Sequence, residues 1–592
     1  MINQHLAALR AEMKRNHIAA FITTGSDPHG SEYFADHWKE MEWVSGFTGE
    51  AGTVLVLHDE AFIWTDSRYY LQAGKELADT GFSLMRDGEM ATPSIPQYLV
   101  AHLHKGDVVG INPELFSNNA FLKIQSELAE AGLTLQGTDL IGRLWTDGRP
   151  QMPIGALYAY DVKYAGQSVA EKLEIVRAKL AQRHANVFVT SALDEIAWLL
   201  NIRGTDVEFN PVVLSYLVLD NKSCTLFVAP EKLTSEAIQY LVSNKIAVSD
   251  YANIYAALRL IEPDATVLYD GAKLNRALFE AIQQGCKKID GQSPILLPKA
   301  MKNAVELEGE RVAMKKDAVA LTRFFMWVEQ AAKQSNLTEY DFGLKLKAFR
   351  AEQENFVEES FGSIVGYEGN GAIVHYSAPA EGSSVIKPEG MLLVDSGGQY
   401  LDGTTDITRT TCLGEPSAQM IHDYTLVLKG HLALARARFP YGTRGSQLDA
   451  LAHQFLWQEG LSYGHGTGHG VGHFLCCHEG PQNIRMNENP AILEVGMIVS
   501  DEPGLYRTDK WGIRIENLIT VVEAEKTEFG DFLKFETLTL FPYERRLIDT
   551  SMLDNGEIEW INNYQQRVYD TIAPLLNDDE RMWLKNKCEK LG

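Results

Sequence analysis

MLLVDSGGQYLDGTTDITRTTC, residues 391–412, decides how the rest of this chain is read. The apolar run Met391–Val394 ends on Asp395, and the glycines that follow relieve crowding there. The run reads as a buried strand with a carboxylate at its end. Asp406 follows within LDGTTDITRT, and TTDITRTTCL reads as an antiparallel partner strand. Such a pair brings both carboxylates to one pocket. A charge that ends or interrupts an apolar segment needs a compensating partner.

Three more residues extend the pattern. His469 sits in GHGTGHGVGH, which begins at Gly464; Glu502 lies in SDEPGLY and Glu516 in GIRIENL. Gly466, Gly468, Gly470 and Gly472 argue against a continuous helix around His469 and allow close backbone approach to a cofactor. GMIVSDEPGLY places Glu502 at a strand end, with Pro503-Gly504 turning the chain. In IRIENLITVV the alternation puts Arg514 and Glu516 on one face and Ile513 and Ile515 on the other. Each carboxylate alone reads as a turn residue or cap. Together, four carboxylates and one imidazole form the ligand set of a site for two hard divalent ions. Oxygen-dominated coordination favours manganese or magnesium-like ions, while the imidazole leaves cobalt and zinc open. His465, His469, His473 and His478 are four of the chain's 16 histidines. His473 taken alone reads as a packing or surface residue, and His375 in GAIVHYSAPA as an ordinary strand histidine.

Composition narrows the class. The 592 residues suffice for three to four domains, and 45% hydrophobic with 10% aromatic content excludes a mainly disordered chain. With 54 basic against 79 acidic residues, net −25, nucleic acid and anionic membrane are poor partners. The six cysteines are sparse and irregular, as expected of free thiols in a reducing cytoplasm. The opening MINQHLAALRAEMKRNHI reads as an amphipathic helix without a signal-peptide core, and no apolar run is long enough for a transmembrane helix.

Organisation follows a repeat. A helix-like opening leads to the strand HIAAFITTG and then to GTVLVLHDEAFIWTD. Later VAEKLEIVRAKLAQR leads to HANVFVTSA, VVLSYLVL and CTLFVAP, about 167 residues on. Two related α/β domains explain the recurrence. Turn formers near Gly148-Arg-Pro150 mark one boundary, and residues 298–303 another, ahead of the amphipathic stretch from Glu306 to Ala332. The expected domains are 1–150, 151–302 and 303–592. Lys302 and Glu306 belong to the entrance of the last one. The segment 557–576 reads as an amphipathic helix whose apolar face covers either the catalytic core or a neighbouring subunit.

The stretch from about Lys302 to Tyr543 resembles the pita-bread metallopeptidases, and its motifs resemble the aminopeptidase P (Xaa-Pro aminopeptidase) branch in its long three-domain form. VSGFTGEAGT, WTDSRYYLQA, SALDEIAWLLNIRG and NPVVLSY carry the likeness in the N-terminal half; HGTGHGVGHF, HEGP, DEPG and IRIEN carry it in the catalytic part. One departure is His473, where the resemblance leads us to expect a small residue such as serine. The resemblance implies an α/β (α+β) chain: two creatinase-like N-terminal domains, then a pita-bread catalytic domain. It implies Asp395, Asp406, His469, Glu502 and Glu516 as ligands of two divalent ions, manganese first and cobalt or zinc as alternatives, with Asp406 and Glu516 bridging. Glu502 shuttles a proton, His375 and His478 hydrogen-bond substrate, His465 and Tyr506 line its pocket, and Arg514 supports a ligand carboxylate. The reaction implied is removal of the first residue from peptides with proline second, by metal-activated water, in a cytoplasmic homodimer.

Two competing readings stand beside it. A prolidase uses the same catalytic fold but accepts only dipeptides, and the long N-terminal half speaks against it. A non-catalytic peptide-binding relative of the fold would have lost ligands, and all five are present.

Overall fold

The computed structural model describes residues 2–334 and 336–592; Met1 of the expected opening helix lies outside them. The chain forms two compact units. One comprises Met1–Val162 and Gln167–Leu296, the other Lys163–Gly166 and Leu297–Gly592.

The first unit contains the expected repeat. Its first sheet has six strands in the order Ser83–Arg86, Ala61–Thr65, Thr53–Leu57, Ala20–Thr24, Val108–Ile111, Thr134–Gly137. Its second has the order Ala247–Ser249, Cys224–Val228, Ser215–Asp220, Val187–Thr190, Thr266–Tyr269, Lys287–Asp290. In both, an antiparallel meander occupies the centre and parallel strands lie outside it. Helices Ile2–Arg15 and Val169–Gln182 precede the two first strands. The second helix starts at a capping box, in which Ser168 accepts from the Glu171 amide and the Glu171 side chain accepts from the Ser168 amide.

In the second unit, strand Met391–Ser396 pairs antiparallel with Ile407–Cys412, with Asp395 opposite Thr408. Asp406 sits one residue before its strand rather than within it. The chain between them makes a separate small sheet, Gly398–Tyr400 with Gly403–Thr404 and Phe356–Glu359. Glycine is required at 397, because a Cβ there would lie 2.0 Å from the Thr405 carbonyl and 2.1 Å from Ser360 Oγ. A six-stranded sheet runs Arg438–Pro440, Gly530–Thr537, Asn517–Thr527, Ile498–Asp501, Gly468–Gly470, Glu479–Ile484. It sets the His469 strand beside the strand that ends just before Glu502. A hairpin, Gly504–Arg507 with Trp511–Arg514, closes the constellation.

Helix Ala304–Gln334 takes up the predicted amphipathic stretch. The penultimate α-helix, Asn555–Ile572, begins at a capping box formed by Asp554 and Glu557. Its apolar face lies on the core of this unit: Ile561, Tyr564, Val568 and Ile572 share one buried cluster with Leu505, Ile513 and Ile515. Those three back the hairpin that carries Tyr506 and Arg514 and the short connector that carries Glu516. No helix among the described residues is long and apolar enough to cross a membrane. All six cysteines are free thiols.

Because Ile561 is fully buried behind the site strands, Ile561→Ala should cost about 2–5 kcal/mol, as core truncations of this kind do. Chemical denaturation of the intact chain measures this; a change under about 0.5 kcal/mol, typical of surface sites, would show that the helix does not seal the core.

Candidate metal centre

The hairpin of strands from Met391 to Cys412 does what its sequence implies. Asp395 and Asp406 come together with Glu516, one donor atom of each lying within 4.8 Å of the others. His469, Glu502 and Glu516 form a second such group, and Asp406, His469 and His478 a third. All five expected ligands are thus gathered in one place. His469 Nε2 lies 3.4 Å from Asp406 Oδ2 and 3.5 Å from Glu502 Oε1.

The electrostatics are those of an anionic pocket in which Asp395, Asp406 and Glu516 are buried while His469 and Glu502 keep some exposure. Burial pushes the Glu516 carboxyl well above its ordinary range, with Asp406, Glu502 and Asp395 adding to the effect. Burial also raises Asp395, against the pull of Arg514, and lifts Glu502 to about 7. For Asp406 burial alone would act in the same direction, but His469, His478 and Cys477 outweigh it and hold this carboxyl below its ordinary range. Among the described residues no hydrogen-bond donor reaches Asp395 Oδ1. Buried carboxylates this close need positive charge. Arg514 Nη2, which donates to Asp395 Oδ2 at 2.6 Å, supplies only part of it. An oxygen-rich donor set with one imidazole, compact enough for shared donors, fits two hard divalent cations.

A second layer orients these groups. Arg514, 1% exposed, donates from Nε to Thr408 Oγ1 at 3.2 Å and from Nη1 to the Tyr506 hydroxyl at 2.7 Å. Thr408 Oγ1 in turn donates to Glu516 Oε2 at 2.7 Å. The Tyr506 hydroxyl lies 2.7 Å from His465 Nε2, whose other nitrogen faces the Gly466 carbonyl at 2.8 Å. A carbonyl only accepts, so Nδ1 of His465 carries the hydrogen and Nε2 accepts from Tyr506. Burial and the nearby Arg514 lower His465 to about 3, consistent with that neutral tautomer. The His478 ring stands edge-on to His469, with centres 4.2 Å apart. His375 lies in a turn after the short 3-10 segment Glu368–Ala372, and not on a strand as its sequence context suggests. Its charge acts on His465, and the adjacent Val374 carbonyl accepts from Arg514 Nη2 at 3.4 Å. His473, expected as a packing or surface residue, is buried.

Sequence reasoning missed Thr408, Cys477 and Arg409. Thr408 shares a strand face with Thr410, two residues on, so a period-two reading from Asp406 would have found it. Cys477 donates to Asp406 Oδ2 at 3.3 Å. Arg409 binds the Glu516 carbonyl at 2.6 Å and Asn517 Oδ1 at 2.8 Å. Nothing in the local sequence of the last two announces these contacts.

Comparison with known proteins agrees with this geometry. Residues 308–523 match metallopeptidase family M24, residues 531–591 the C-terminal region of that peptidase family, and residues 5–142 and 148–306 each a creatinase/prolidase N-terminal domain. A fold of two creatinase-like modules before a carboxylate-rich metal pocket therefore defines a metallopeptidase class. The chain belongs to metallopeptidase family M24. It is similar to Xaa-Pro aminopeptidase 1 of Dictyostelium discoideum, 39% identical over all of this chain and 97% of that one. It is similar to aminopeptidase P2 of Arabidopsis thaliana, 39% identical over 97% of this chain and 86% of that one. The crystal structure of an X-prolyl aminopeptidase from Caenorhabditis elegans, described as a cytosolic enzyme with a di-nuclear active site, superimposes with a TM-score of 0.96, 34% identity and full coverage of both chains.

Glu502 has a folded-state pKa of about 7, above its unfolded value. Its contribution to the metal-free protein is therefore full below about pH 4.3 and is lost as pH rises through 7. Thermal melts of metal-free protein should fall from about pH 5 to about pH 8, more steeply than those of Glu502→Gln, and a bound divalent cation should restore the high-pH value. Equal slopes for the two proteins would mean that Glu502 does not titrate in this range.

Proposed function

We propose that this chain is a metal-dependent Xaa-Pro aminopeptidase, an exopeptidase that removes the first residue from peptides with proline second. The observation that carries the reading is the overlap of donors: Asp406, His469 and Glu516 each belong to two of the three ligand groups. Full-length likeness to proteins named Xaa-Pro aminopeptidase supports the substrate class.

Asp395, Asp406 and Glu516 would hold one cation, and His469, Glu502 and Glu516 the other, with Asp406 within reach of both. When bound, two divalent ions supply Lewis acidity that polarises the scissile carbonyl and acidifies water near neutral pH. The oxygen-rich set makes manganese our assignment, with cobalt or zinc second. Glu502, beside the candidate cation positions, takes up and returns a proton. His375 and His478 donate hydrogen bonds to the substrate carbonyl as charge develops on its oxygen. Arg514 locks Asp395 and Tyr506 together, and Tyr506 fixes His465 as a neutral donor–acceptor, so these groups make a rigid pocket wall. An Xaa-Pro bond is a tertiary amide without an N–H, and its rigid ring suits such a wall. The acidic surroundings of Asp395 attract the free α-amine. We further assign domain limits at 150 and 302, a homodimer and a cytoplasmic location; the family resemblance supports the first two, and the six free thiols the last.

A peptide Xaa-Pro-Xaa should be cut after its first residue, its N-acetylated twin should not, and the version with alanine second should be cut far more slowly. Equal rates on free and acetylated peptides, followed by chromatography of products, would make the enzyme an endopeptidase; cleavage confined to dipeptides would make it a prolidase. His375→Ala should lower kcat about 10²–10³-fold, as loss of an oxyanion donor does, with both ions retained. Loss of metal from that variant would make His375 a ligand instead.

A further inference from the structure

The loop from His469 to His478 is buried, and its tip is held by a residue that the proposed chemistry leaves unused. Val471, His473, Phe474, Leu475 and Cys477 are all buried, yet the loop returns the chain to the point it left, with the two end imidazoles 4.2 Å apart. Gly472 N donates to the Cys476 carbonyl at 2.9 Å, Cys476 N to Glu479 Oε1 at 3.1 Å and Gln399 Nε2 to the Leu475 carbonyl at 2.5 Å. Phe474 sits at φ +46°, a conformation that costs a non-glycine residue energy and persists only where neighbours enforce it. Cysteines aside, His473 is the one side chain between Val471 and Cys477 with ordinary hydrogen-bonding capacity.

Its ring spans two oxygens. Nδ1 lies 2.9 Å from Glu310 Oε1 and Nε2 lies 3.2 Å from the Tyr164 carbonyl. The carbonyl only accepts, so Nε2 bears a hydrogen. A carboxylate also only accepts, so either Nδ1 bears a second hydrogen or Glu310 is an acid that donates to Nδ1. Both arrangements hold one proton more than a neutral imidazole beside a carboxylate. Burial raises the Glu310 carboxyl well above its ordinary range, and among the described residues no donor reaches its Oε2, which favours the uncharged acid. The other groups that face the pair are the Thr404 amide, which donates to Glu310 Oε1 at 3.2 Å, and the charges of Lys302, Glu306 and Asp402. Gly309 lets the ring lie against the long helix, since a Cβ there would come within 3.0 Å of His473 Cε1.

We propose that His473 and Glu310 form a proton-bearing latch that fixes the loop tip and so sets His478 against His469, which makes His473 a positioning residue for the reaction. The activity arm of its test rests on the aminopeptidase reading; the exchange arm does not. Manganese-loaded wild type, His473→Ser and Glu310→Gln are compared for kcat and KM on an Xaa-Pro-Xaa peptide, bound metal and amide hydrogen exchange over residues 470–478. Serine is too short to span both oxygens, so His473→Ser should lose about tenfold in kcat, the scale of a small misplacement. Its KM and two ions should be kept, and its loop amides should exchange faster. Glu310→Gln still offers Nδ1 a donor and has no proton to lose. It should stay within about threefold of wild type, the worth of one altered hydrogen bond, and be less sensitive than wild type to alkaline pH. If His473→Ser does not fold, His473→Gln, which can reach one of the two oxygens, takes its place with a smaller loss expected. Wild-type kcat and loop protection in the His473 variant, or a Glu310→Gln variant as impaired as it at every pH, would overturn the latch. If wild type cleaves no such peptide the aminopeptidase reading fails, and unchanged exchange in the His473 variant would then be what overturns the latch.

Discussion

Mutual repulsion among Asp395, Asp406, Glu502 and Glu516 is the constraint on which the rest of the catalytic unit depends. Four carboxylates held this close, three of them buried, do not persist by packing alone. Desolvation raises three of them, and only imidazoles and a thiol keep Asp406 low. A folded chain tolerates such a cluster when cations complete it, so the energetic weakness of the site and its chemical competence have one source.

The scaffold is built to hold that unfavourable set still. Arg514 reaches Asp395, Thr408 and Tyr506 from one guanidinium; Thr408 passes the contact on to Glu516; and Arg409 ties the Glu516 backbone to Asn517. Behind these strands Leu505, Ile513 and Ile515 pack on helix Asn555–Ile572. Side chains locked by packing and by one another keep a site preorganised where loops alone would not.

Much of this was legible in the sequence. Apolar stretches ending on or beside a charge point to the five residues that the fold gathers, and the recurrence of helix, strand and meander to the duplicated sheets, whose first strands start at Ala20 and Val187. The amphipathic pattern of 557–576 implies a helix but leaves core and neighbouring subunit open, because an apolar face does not say what covers it. GAIVHYSAPA implies a strand at His375 where the chain makes a turn, since an apolar flank looks the same before either. Cys477 and Arg409 stayed hidden because their partners, Asp406 and Asn517, lie 71 and 108 positions away in the chain. His473 looked bland for the same reason: Glu310 is 163 positions distant.

The most direct test of the account is anomalous scattering at the manganese edge from crystals of the manganese-loaded protein. It predicts two peaks, one among Asp395, Asp406 and Glu516 and the other among His469, Glu502 and Glu516, sharing the Glu516 carboxylate. A single peak, or metal bound away from these five residues, would contradict it.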